Sequence, residues 1–80
     1  MVHENLKKIR IAKGVTQVHL AKKLNVTPMT YSRMENGDSK IDVERMKILS
    51  QALETDIEVF FNNKLTESVI LKMKFQKEVV

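Results

Sequence analysis

Eighty residues with a net charge of +4, two glycines, one proline and 30% charged side chains describe one small helical domain. Without cysteine there are no disulfides and no thiolate metal sites. No apolar run reaches the roughly 18 residues of a membrane span, and MVHENLKK lacks the apolar segment of a secretory signal, so a cytoplasmic, soluble chain is expected.

The first helix is predicted from about residue 4 to 13, with Leu6 and Ile9 facing inward and Gly14 as a left-handed C-terminal cap. Thr16 then caps a second helix whose inner face carries Leu20, Ala21 and Leu24. Asn25 interrupts the pattern, and Asn takes positive φ more readily than other residues with side chains. Thr27 and Pro28 restart a helix at once, since Pro suits the first helical position. Val26, Tyr31 and Met34 face the core, and Asn36-Gly37 ends the segment. After a loop over 38–41, Asp42 caps a fourth helix with Val43, Met46, Leu49 and Leu53 at helical spacing. Asp56 is placed to cap a short fifth helix carrying Ile57, Phe60 and Phe61. Beyond residue 62, Leu71, Met73 and Phe75 alternate with Lys72, Lys74 and Gln76. That is the period of a half-buried strand. Ile70, Met73 and Lys77 also fit a helical stripe, so strand and helix both stand, with the strand preferred.

Two short helices joined at Asn25 and pinned by Leu20, Leu24, Val26, Tyr31 and Met34 make a helix-turn-helix, with small Ala21 permitting close approach. Charge is distributed to match. Residues 1–40 hold eight Lys/Arg against three Asp/Glu, residues 41–62 two against five, and residues 63–80 four against two. A basic first half suits a polyanion such as nucleic acid.

Over residues 4–61 the chain resembles the Cro/C1-type (Xre-like) helix-turn-helix family of phage and bacterial regulators. The resemblance is carried by TQ at 16–17, LA at 20–21, the Val26 to Met34 spacing, ENG at 35–37 and the acidic-capped fourth and fifth helices. It departs at Asn25 and Glu54, where the family favours glycine, and at Met34, where an aromatic residue or Ile is common. The resemblance implies an all-α, five-helix, lambda-repressor-like DNA-binding domain over residues 1–61. Residues 62–80 lie outside the resemblance and are expected to form a C-terminal extension, strand or helix, for dimerisation.

For matching positions the resemblance implies that Gln17 contacts phosphate, aided by the free N–H groups of its helix start. Asn36, Ser39 and Lys40 grip phosphates on the other side. Thr27, Pro28, Met29, Ser32 and Arg33 form the exposed side of the recognition helix, with Thr30 either adding a contact or packing near the cap. Arg33 is that helix's sole cation, and a guanidinium pairs bidentately with guanine O6 and N7. Pro28, Met29 and the threonine methyls can lie against thymine methyl groups. The expected half-site is therefore one guanine beside several A·T pairs. The family also places Arg10 beside Glu35 as a structural ion pair.

His3 and His19 lack partners at metal-ligand spacing, and no metal or cofactor is expected. No nucleophile–base pattern, carboxylate dyad or phosphate loop points to an enzyme, and no small-molecule ligand is evident. The expected partners are double-stranded DNA and a second copy of the chain, joined through Phe60, Phe61, Val69, Leu71, Met73 and Phe75. The expected function is a sequence-specific dimeric regulator reading a palindromic operator. It would be a repressor of a phage, plasmid or mobile element, or a restriction–modification controller. The alternative is an antitoxin or adaptor whose tail binds a partner protein.

Overall fold

Four positions of positive φ among the described residues, Gly14, Asn25, Gly37 and Glu54, set where the first four helices stop, as a computed structural model shows. The structure describes residues 1–78, with side chains for residues 1–74. Helix α1 runs Val2–Ala12, α2 Gln17–Leu24, α3 Pro28–Glu35, α4 Val43–Ala52, α5 Ile57–Phe60 and α6 Asn63–Glu78.

Helices α1 to α4 each end on the same pair of reversed hydrogen bonds. After α2, Asn25 N–H donates to Lys22 O (3.1 Å) and Val26 N–H to Ala21 O (3.0 Å). After α4, Glu54 N–H donates to Gln51 O (3.2 Å) and Thr55 N–H to Ser50 O (2.9 Å). These are Schellman caps, which satisfy the last carbonyls of a helix by turning one residue left-handed. Asn25 adopts φ 60 and ψ 41, and its short side chain makes that turn easier than it would be for a branched residue. Glu54, at φ 48, has no such advantage. At the starts, Thr16, Thr27 and Asp42 accept from the backbone N–H of His19, Thr30 and Arg45, at 3.1, 3.1 and 2.8 Å. Asp56 precedes α5, but its side chain makes no capping bond.

Leu6, Ile9, Leu20, Tyr31, Met34, Met46, Leu49, Leu53 and Phe60 are buried in one core. Helix α1 packs on α3, α5 and α6, and α2 packs on α3 and α4, so α1 and α2 hold α3 from two sides. Ala21, at 1% exposure, lets the backbones of α2 and α3 approach.

The C-terminal extension is helical, not the preferred strand. Asn62 Oδ1 accepts from Leu65 N–H (3.0 Å) and starts the helix. Thr66, fully buried, donates its hydroxyl to Val59 O (2.7 Å). Buried Asn5 donates to Phe60 O and Asn63 Oδ1, both at 2.9 Å, tying the start of α6 to α1. These anchors direct Thr66, Val69, Ile70 and Met73 toward the body, a spacing of three and four. A lone strand would leave its ladder groups without partners, whereas a helix satisfies them internally.

Glu54→Gly should raise stability by about 1 kcal/mol, because it removes the cost of an L side chain in the left-handed region. Asn25→Gly should change it by less, because Asn already tolerates the left-handed region. Paired urea melts check both, and equal effects at the two sites would contradict this account of the caps.

Candidate nucleic-acid interface

Arg10, near the end of α1, directs its guanidinium across the domain to Glu35, the last residue of α3. Its Nε and Nη2 donate to Glu35 Oε2 (2.5 Å) and Oε1 (3.1 Å). Nη1 donates to Val15 O (2.9 Å) in the α1–α2 connection. Gln17, the first residue of α2, donates its amide to Glu35 Oε1 (3.2 Å). One carboxylate therefore joins the end of α1, the start of α2 and the end of α3.

Glu35 is 2% exposed. Burial pushes its carboxyl up, but the Arg10 fork, helped by the neighbouring Tyr31 hydroxyl and the Gln17 amide, holds it below its ordinary value of 4.5. The hydrogen bond from Arg10 to Glu35 raises the guanidinium's already high value further, against the lowering effect of burial. The Tyr31 hydroxyl is buried beside this cluster, with no partner at hydrogen-bonding geometry among the described residues. Burial first, and Glu35 second, hold that phenol far above its usual range.

With Tyr31, Met34 and Glu35 turned inward, α3 presents Thr27, Pro28, Met29 and Arg33 to solvent, and Thr30 and Ser32 at its half-buried flanks. Thr30 is committed locally, since Thr27 Oγ1 donates to Thr30 Oγ1 at 2.9 Å. Arg33 Nη2 lies 3.9 Å from Met29 Sδ, one turn earlier on the same face. In the following loop Asn36 and Lys40 are exposed and Ser39 is half-buried. That loop is braced from below by His3: a Cβ on Gly37 would stand 2.8 Å from His3 Nε2. Composition gave no hint of this packing, nor of buried Asn5.

The expected interface residues divide. Phe61 and Leu71 are 58% and 57% exposed, and Val69 and Met73 are half-buried. Phe60 is 0% exposed and belongs to the core, because the tight α5 turn can face only one of two adjacent phenylalanines inward. The Phe75 side chain lies outside the described residues.

The profile of the helix-turn-helix family matches residues 6–60, from within α1 to the end of α5. The uncharacterized HTH-type transcriptional regulator YqaF of Bacillus subtilis (strain 168) is 34% identical over 68 residues, covering 85% of this chain and 90% of YqaF. YqaE of the same organism, named in the same terms, is 32% identical over 69 residues, or 86% of this chain and 60% of YqaE. The uncharacterized HTH-type transcriptional regulator RP497 of Rickettsia prowazekii (strain Madrid E) is 28% identical over 60 residues, 75% of this chain and 46% of its own length. The chain thus spans nearly all of YqaF but only 60% and 46% of the other two. No solved structure matches it. The chain belongs to the Cro/C1-type helix-turn-helix family.

Arg10→Ala should cost about 3–5 kcal/mol, since it strands a buried carboxylate. The depressed Glu35 value sets the pH dependence. Its contribution is complete above the unfolded value of about 4.5 and is lost as pH falls through the lower folded value. Glu35→Gln should therefore show a shallower loss of melting temperature below about pH 4.5 than the parent chain. Parallel slopes would contradict this role for Glu35.

Proposed function

We propose that this chain is a DNA-binding transcriptional regulator that acts as a homodimer on a palindromic site, with α3 in the major groove. The observation that carries the reading is the division of α3: Tyr31, Met34 and Glu35 are locked inward, and Thr27, Pro28, Met29 and Arg33 stand free. Arg33 supplies the bidentate donors that recognise guanine, while Pro28, Met29 and the Thr27 methyl offer apolar contact to thymine. Ser32 and Thr30 border this surface. Gln17 has a second amide N–H left for a phosphate after its bond to Glu35. Asn36, Ser39 and Lys40 supply phosphate contacts from the loop after α3, which position the helix without reading sequence.

A single eight-residue helix reads few base pairs, so specificity comes from two copies with helices about one DNA turn, roughly 34 Å, apart. Exposed Phe61 and Leu71 are the apolar residues proposed to join them, since Val69 and Met73 turn toward the body. Repression by occluding a promoter is the simplest output of such a reader, in a phage, plasmid or mobile element or a restriction–modification locus. The same exposed apolar residues support the second reading, an antitoxin or adaptor whose C-terminal helix binds a partner protein.

Selection of bound duplexes from a random pool should return a palindrome, and absence of any enriched sequence would overturn the regulator reading. Arg33→Ala should then cost about 1–3 kcal/mol and relax preference at one base pair per half-site. Lys40→Ala should weaken binding evenly across sequences and reduce the salt slope by about 1. For the dimer, Phe61→Glu combined with Leu71→Glu should halve the mass in solution while leaving the circular dichroism helical. Removing α6 would be a poor test, because Thr66 is sealed against α5.

A further inference from the structure

Of the five methionines, Met34 and Met46 are sealed in the core, while Met29 stands 67% exposed in the middle of the outward face of α3. Its sulfur is 3.9 Å from Arg33 Nη2. A thioether is only a weak acceptor, so this contact holds the guanidinium near the sulfur loosely and leaves it available to a base. We infer that Met29 is an oxidative modification site whose sulfoxide withdraws Arg33 from DNA. This rests on the reading of α3 as the base-reading helix.

The oxidant class is a hydroperoxide. A sulfur lone pair attacks the terminal peroxide oxygen, forming the S–O bond as the O–O bond breaks. Sulfur loses two electrons, and the departing oxygen takes the hydroxyl proton and leaves as an alcohol, or as water when the oxidant is hydrogen peroxide. The product places a polar oxygen on the sulfur that already neighbours Arg33. A cationic donor meeting a strong acceptor makes a charge-assisted hydrogen bond, about twice as strong as a neutral one. The guanidinium is then retained on its own helix, and the apolar surface that Met29 offered to a thymine methyl becomes polar. Both changes act on base readout. Neither touches Gln17, Asn36, Ser39 or Lys40, so binding to unselected DNA should persist. The change is reversible, because methionine sulfoxide is reduced enzymatically. Met1 is also exposed, at 73%, but sits beside Asn63 at the start of α6, where its amino group reaches Asn63 Oδ1 (3.4 Å).

The test uses the full chain, its selected duplex and a scrambled duplex, before and after hydrogen peroxide, with the oxidised positions read by peptide mass. Oxidation at Met29 should lower affinity for the selected duplex about 10–100-fold, the loss of one base-reading pair, and leave the scrambled duplex unchanged. Methionine sulfoxide reductases acting on both epimers should restore binding. Met29→Leu, whatever its own starting affinity for the selected duplex, should show the same affinity before and after peroxide, although Met1 and half-buried Met73 remain open to oxidation. An equal loss in Met29→Leu would overturn the proposal, as would oxidation of Met29 with undiminished binding or resistance of Met29 to peroxide. If the untreated chain selects no duplex at all, the regulator reading itself fails, which the first step reveals separately.

Discussion

The fork between Arg10 and Glu35 fixes the pose of α3, and the presentation of the outward face follows from it. The end of α1, the start of α2 and the end of α3 meet on one buried carboxylate. An apolar contact would have allowed α3 to slide or roll. A bidentate guanidinium does not, because two parallel donors set direction as well as distance. Burial makes the arrangement costly to break from either side, which is the circumstance in which an ion pair acts as an orienting device. The remaining Arg10 nitrogen takes Val15 O, so the connection that delivers α2 is positioned by the same side chain.

Around that fork the backbone supplies the rest of the geometry. Four successive helices stop on left-handed residues, so each is short and changes direction sharply. Only then can α1 and α2 grip α3 without covering its outer side. The two positions without glycine use different means. Asn25 adopts the turn at little cost, while Glu54 is held there by the closing bonds of the α4 cap. The C-terminal helix adds a polar latch, in which Asn5 donates to Asn63 and to the Phe60 carbonyl and Thr66 donates to the Val59 carbonyl. The Lys8–Glu67 pair (3.1 Å) is solvent-exposed and contributes about 0–1 kcal/mol.

How much of this was legible in the sequence depended on whether the signal was local. Caps are local: Thr16, Thr27 and Asp42 start helices where their side-chain oxygens reach the third following N–H. The division of α3 into inner and outer residues followed from the spacing of Tyr31 and Met34. The Arg10–Glu35 contact came from family resemblance, because residues 25 positions apart give no periodic signal. The tail misled because Leu71, Met73 and Phe75 fit period two while Ile70, Met73 and Lys77 fit a helical stripe, and neither pattern excludes the other. What decided for helix was tertiary, namely the hydroxyl of Thr66 and the amide of Asn5 meeting carbonyls of α5 or its border. The adjacent pair Phe60-Phe61 posed a similar problem, since composition cannot say which ring the core accepts.

The central claim is that the outward face of α3 is the surface that meets DNA. Amide chemical-shift mapping during titration with the selected duplex tests this most directly, because it reports position without altering any residue. The account predicts changes concentrated at Gln17, Thr27, Met29 to Arg33 and Asn36 to Lys40, with the distant face of α6 unmoved. Changes confined to α5 and α6, with α3 silent, would contradict it.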